Sequence, residues 1–264
     1  SAAEVAHGMS ESDAYSATSW RGHIERIGLK MRDGSSPVYS SQTVTEQSFI
    51  GTNDLGMSLV VGYGTVNGVW GSGNRHNTSW WTGSLLSDGT VWRRYMANGE
   101  ADGGSSVNER LGIRRKELAP EPQHMGKARC VRGARTSTQR VKLDGSGPCE
   151  GAVTYTYDGH SYDLVEIGND CWFAEDLQAT VNGAGEDLVL NTDYRYPNDD
   201  STLVEKLGLV YRRDLTTELC PSDWHVASDN EWSAAEVAHG MLESDAYDVE
   251  GSGVWRGGAQ FVGL

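Results

Sequence analysis

The side chains able to do chemistry fall into four groups. Cys130, Cys149, Cys171 and Cys220 are an even set with neither CxxC nor Cys–His metal spacing, so two disulfides in an oxidising compartment are expected. Cys149 precedes and Cys171 ends a stretch that reads as a hairpin, so a Cys149–Cys171 bridge would tie its start to its sheet. Asn198-Asp199-Asp200, and Glu186-Asp187 with Asn191 and Asp193, put hard oxygen ligands in loops. That composition suits Ca²⁺, although EF-hand and RTX spacings are missing. Asn198, Asp199 and Asp200 are the candidate ligands, and calcium is the only cofactor suggested.

The third group is aromatic and basic. Trp70, Trp80, Trp81, Trp92 and Tyr95 lie among Gly, Ser, Asn, Arg75, Arg93 and Arg94. Flat rings beside hydrogen-bonding groups suit sugar or protein surfaces. Trp80, Trp81 and Trp92 are read as core, which leaves Trp70, Asn74, Arg75, Arg94 and Tyr95 as exposed contacts. The histidines form the fourth group. His225, between Trp224 and Val226, reads as structural, and His7 and His239 as exposed on a helix face. No GxSxG elbow is present and no catalytic set converges, so no catalytic residue is expected and the chain does not read as an enzyme.

The elements that must hold these groups are short. Val153–Tyr157 and Ser161–Ile167, joined through Asp158-Gly159, form a hairpin pattern with β-branched and aromatic arms. Short strands are expected at Leu59–Tyr63, Ser79–Thr82, Thr90–Met96 and Ala128–Arg132, and a short helix at Trp172–Leu177. Ser228-Asp229-Asn230-Glu231 fits a capping box ahead of an apolar stripe of Trp232, Ala235, Ala238 and Met241, with His239-Gly240 at the helix end.

That last helix occurs twice. SAAEVAHGMSESDAY at 1–15 returns as SAAEVAHGMLESDAY at 233–247, and only Ser10 and Leu242 differ. Trp20-Arg21-Gly22 returns as Trp255-Arg256-Gly257. The spacing is the size of a whole domain, far longer than a solenoid repeat. The chain therefore reads as a window on a tandem array. Residues 1–135 would be the C-terminal part of one module, 136–151 a polar linker and 152–264 the N-terminal part of the next.

Charge divides along the same line. Residues 1–135 hold 15 Lys+Arg and 13 Asp+Glu, whereas 136–264 hold 7 and 24. Basic and acidic segments facing one another, within one fold or between modules, would account for this. A net charge of −15 argues against general nucleic-acid binding. No apolar run approaches the eighteen residues of a membrane helix, so no membrane span is expected in this segment.

Tyr157-Asp158-Gly159-His160, Val165-Glu166-Ile167-Gly168, Trp172-Phe173-Ala174-Glu175-Asp176-Leu177 and Cys220-Pro221-Ser222-Asp223-Trp224-His225 together resemble the Fibrobacter succinogenes major paralogous domain. Trp80-Trp81-Thr82, Trp92-Arg93-Arg94 and Arg129-Cys130-Val131-Arg132 resemble the rest of that domain, so the order here is permuted. Asp176 stands where the family usually has Asn, Asp223 where it has Gly, and Gly112–Met125 matches poorly. The resemblance implies an α+β, C-type-lectin-like fold: a small twisted antiparallel sheet, one or two helices and long irregular loops. Formylglycine-generating enzymes share that fold, but their paired-cysteine copper motif is missing, so shared fold does not imply shared activity. Cys130 and Cys220 resemble the family's two commonest cysteines, which pair within a domain. Here they would join consecutive modules in an array, or each other if the chain closes on itself.

The resemblance places the chain in the extracellular space or at the cell surface. It implies a structural or adhesive repeat of a large secreted bacterial protein forming a filament or appendage, with neighbouring copies of the module as partners. A lectin-like domain that recognises glycan or protein is the alternative.

Overall fold

A computed structural model describes residues 31, 53, 55–59, 77–85, 91–97, 113–118, 124–133, 147–247 and 255–256. The strands in chain order are β1 (Asn77–Leu85), β2 (Val91–Ala97), β3 (Ile113–Leu118), β4 (Met125–Gly126), β5 (Cys130–Arg132), β6 (Thr154–Tyr157), β7 (His160–Ile167), β8 (Asp170–Phe173), β9 (Tyr194–Arg195), β10 (Val210–Arg212), β11 (His225–Val226) and β12 (Trp255–Arg256). The α-helices whose bounds fall within the described residues are α1 (Val204–Leu207), α2 (Asp229–Ala238) and α3 (Glu243–Ala246); Met31 is also helical. The architecture is α+β, and the described strands form three small antiparallel sheets where one was expected. Their orders are β1-β2-β3-β12, β4-β10-β9 and β11-β5-β8-β7-β6.

Local sequence explains the hairpin. Tyr157 pairs with His160, and the two residues between them, Asp158 and Gly159, both take positive φ. That turn twists in the same sense as its strands, and Asp-Gly adopts it at little cost. Trp172–Leu177 is not helical: Trp172 pairs with Val131 and Val165 inside β8. A short apolar run fits either period, and the neighbouring strands decide it.

β8 also shows how the core is divided. Cys171 and Phe173 join one buried cluster, while Trp172 points to the other. Successive strand side chains leave on opposite faces, so the five-stranded sheet separates two cores. One core contains Trp80, Met96, Val131, Trp172 and Trp232. The other stacks Phe173 on Tyr162, ring centres 4.4 Å apart, and closes on Trp224.

Both cores and the sheet draw on residues from each side of 134–146. β5 lies between β8 and β11. Segments 1–135 and 152–264, which the sequence pattern divides between consecutive modules, are thus joined in their described parts. Cys130 is bonded to Cys220 within this chain, and Cys149 to Cys171. Cys149, at the end of the expected linker, is buried. The first copy of the duplicated segment falls outside the described residues. Among the described residues no helix is long and apolar enough to cross a membrane.

Candidate functional site

β2 projects Arg94 inward, opposite to the exposed role expected for it. The side chain is fully buried and enters the base of α2. Its Nε donates to Glu236 Oε1 at 2.5 Å, its Nη2 to Ser233 Oγ and the Asp229 carbonyl at 3.0 Å each, and its Nη1 to Asp229 Oδ1. Strand alternation sends Arg94 to the same side as Trp92 and Met96, and all three are buried. Burial alone would lower its pKa, but Glu236 and then Asp229 outweigh this and raise it. The guanidinium is therefore a fixed charge that holds the helix, and Arg94 leaves the ligand-binding set. Tyr95, on the other face, is half-buried with Arg93 over its ring. Trp70, Asn74 and Arg75 lie outside the described residues.

A second buried charge cluster centres on Asp176. Its Oδ1 accepts from Trp80 Nε1 at 2.7 Å and Arg129 Nε at 2.6 Å, and its Oδ2 from Lys127 Nζ at 2.9 Å. Burial pushes the carboxyl up, but Arg129 and Lys127 outweigh it and hold it below its ordinary range. Burial dominates at Lys127, whose ammonium pKa falls despite Asp176. Arg129 also donates to the carbonyls of Met57, Ser58, Phe173 and Ala174, so one guanidinium binds two separate stretches of chain, 57–58 and 173–176.

The capping box of α2 is formed as its sequence requires. Glu231 N donates to Ser228 Oγ, and Ser228 N donates to Glu231 Oε2 at 2.7 Å. The same Glu231 carboxylate lies 2.8 Å from His225 Nε2. Beside it Asp170 is half-buried, and its pKa is raised to about 6, first by burial and then by Glu231, with His225 opposing. A Cβ at Gly133 would collide with Asp170 Oδ1, so any other residue there would require that carboxylate to move. The expected apolar stripe of α2 differs in detail. Trp232, Ala235 and Met241 are buried, but Ala238 is exposed, and Ser233, Glu236 and His239 complete the inner face. His239 is 4% exposed, not solvent-facing as expected, and its Nδ1 lies 2.7 Å from the Ala235 carbonyl.

The buried Trp172, the bonded Cys220 and the capped α2 follow one another in a single stretch. Residues 165–259 match the model of the Fibrobacter succinogenes major domain. No curated protein and no solved structure matches the chain significantly. The part of this chain matched to the Fibrobacter domain contains Asp176, Asp229 and Glu236, whereas Arg94, Lys127 and Arg129 lie outside it. The matched stretch therefore takes the counter-ions for its buried carboxylates from residues 94–129.

The calcium candidates are used otherwise. Asp199 pairs with Arg195 at 2.9 Å, and Asp200 caps a short 3-10 turn by accepting from Thr202 N. Asn198 takes positive φ inside the preceding turn. Among the described residues no group of three or more His, Cys, Asp or Glu is placed to hold a metal. Nothing in the local sequence marks Arg94, Lys127 or Arg129 as buried ion-pair partners. The charge asymmetry of the chain is the only trace, and it does not name residues.

Proposed function

We propose that the chain is a non-enzymatic structural or adhesive repeat module of a large secreted bacterial surface protein, one that assembles covalently linked copies into a filament or appendage. The observation that carries this reading is the duplicated segment, fourteen of fifteen residues identical at a spacing the size of a domain. The match to a paralogous bacterial domain family supports it. Two disulfides accord with an oxidising, extracellular setting. Charged side chains at the described centre are buried in ion pairs, which favours a load-bearing interior over a catalytic one. The C-type-lectin-like topology implied by the sequence motifs belongs to the same proposal, since it brings module ends together and suits a string of beads.

The test uses the producing bacterium. Surface proteins are sheared off, separated without reductant and identified by mass spectrometry with antibody against this chain. A polypeptide spanning several repeat lengths in the surface fraction is expected. Recovery only inside the cell, as a single short chain, would sink the proposal.

A further inference from the structure

Residues 233–247 occupy a slot with walls from the earlier chain. Ser233, Ala235, Glu236, His239, Met241 and Ala246 are each under 5% exposed, and their neighbours include Trp80, Met96 and Met31. Arg94 donates to Glu236 and Ser233 from the wall, and Ser233 Oγ donates to the Ala246 carbonyl at 2.7 Å, which folds α3 back on α2. Every one of these six inward positions has an identical counterpart in the upstream copy: Ser1, Ala3, Glu4, His7, Met9 and Ala14. The single difference pairs Ser10 with Leu242, and Leu242 is 46% exposed. The six inward contacts and the exposed differing position give the slot no basis for telling the two segments apart within 233–247 itself; the capped turn and Trp232 ahead of Ser233 are what favour the downstream copy.

We propose that this slot is a binding site for residues 1–15 of the same chain, which can displace 233–247. Reach permits it. Met31 is buried in the cluster lining the slot, and the sixteen residues back to Tyr15 span up to ~50 Å when extended. Both segments are tethered to the slot, so each competes at an effective concentration of roughly millimolar, about a thousandfold above a second chain at micromolar concentration. Displacement leaves 233–247 free, with the same inward side chains available to the slot of an adjoining copy. The inference concerns this chain alone and does not depend on the surface-filament reading.

Two inward substitutions test it in the full chain. Glu236→Lys sets a cation against Arg94, and Met241→Asp puts a carboxylate in the apolar cluster. Each single variant is expected to keep a cooperative thermal transition and both disulfides, and to remain monomeric by light scattering. The paired variants, Glu4→Lys with Glu236→Lys and Met9→Asp with Met241→Asp, are expected to lose the transition. A synthetic peptide of residues 1–15 should restore it to the paired variants, and a Glu4→Lys peptide should not. If both single variants unfold as completely as their paired forms, the upstream copy does not enter the slot. If the single variants fold only as dimers, a second chain fills it and the same-chain assignment fails.

Discussion

Asp176→Asn perturbs the interior at one atom. Asparagine keeps Oδ1, which accepts from Trp80 Nε1 and Arg129 Nε, at 2.7 and 2.6 Å in the native chain. It replaces Oδ2 by an amide donor facing Lys127 Nζ, 2.9 Å away in the native pair. Arg129 retains four backbone carbonyls, so its charge is still solvated by the chain. Lys127 is 1% exposed and loses the carboxylate that balanced it. Removing one member of a buried pair costs about 3–5 kcal/mol. With Arg129 partly provided for, about 3 kcal/mol is expected at pH 7, read as a lower urea midpoint at unchanged slope.

The pH dependence has a definite sign. In the native chain Asp176 has a folded pKa below its unfolded value, so its stabilisation is present above the ordinary carboxylate range and is lost as pH falls through the folded value. In the variant the Lys127 pKa, already lowered by burial, falls further. The penalty is then largest at neutral pH and shrinks as pH rises toward the ordinary lysine range. The gap between wild type and variant should therefore narrow from pH 7 to pH 10. Lys127→Met added to Asp176→Asn removes the buried ammonium and should recover about 2 kcal/mol. A single variant within about 0.5 kcal/mol of wild type would refute the reasoning, as would a Lys127→Met substitution that destabilises Asp176→Asn further. The family usually has Asn at this position, so the experiment also asks whether Lys127 is what requires the acid.

Three other outcomes follow from single sites. Asp170, with its pKa raised to about 6, loses stability as pH rises through that value; Asp170→Asn should stabilise by about 1 kcal/mol at pH 8, allowing for solvent screening, and have no effect near pH 3.5. Asp223 is exposed at φ 71°, where the family has glycine; Asp223→Gly should raise the melting temperature, by relief of roughly 1 kcal/mol of backbone strain. Replacing Cys130 and Cys220 by serine opens a closure of 90 residues, against 22 for Cys149 and Cys171; chain entropy assigns the first about 4.6 kcal/mol and the second about 3.4, so denaturant melts of the two serine pairs should rank in that order.

Features encoded within a few residues are legible in the sequence alone. The Asp158-Gly159 turn and the Ser228–Glu231 capping box need only local contacts, and both form where the residues stand. Trp172–Leu177 reads as a helix only because its pattern is too short to separate the two periods; pairing with Val131 and Val165 puts Trp172 in β8, which ends at Phe173, and the remainder is irregular. Arg94 defeats a sequence reading for a different reason. An arginine among aromatics looks the same in sequence whether it faces water or a carboxylate 142 residues away. Burial of His239 likewise depends on which side of α2 meets the sheet, and an apolar count cannot weigh Ser233 and Glu236 as inward residues. Among the candidate contacts, Trp70, Asn74 and Arg75 lie outside the described residues, and Tyr95 alone of the remainder keeps partial exposure.

The acidity of residues 136–264 has a local explanation as well as a long-range one. Asp176, Asp229 and Glu236 neutralise cations contributed by residues 94–129. Others replace backbone pairing in the loops: Asp158 accepts from Thr180 N at 2.6 Å, Glu166 from Cys149 N at 3.0 Å, Asp193 from Val189 N at 2.9 Å and Asp200 from Thr202 N at 2.9 Å. Long connections between strands that, β7 apart, have two to four residues in this segment leave many N–H groups without a ladder, and side-chain carboxylates accept from them, in half-buried positions as at Cys149 and in exposed ones as at Thr180, Val189 and Thr202. A carboxylate is the strongest acceptor a side chain offers. A fold built from short strands and long loops thus accumulates acids for the same reason that it has few extended ladders. These seven acids are used by the fold itself, in ion pairs or in ordering loops.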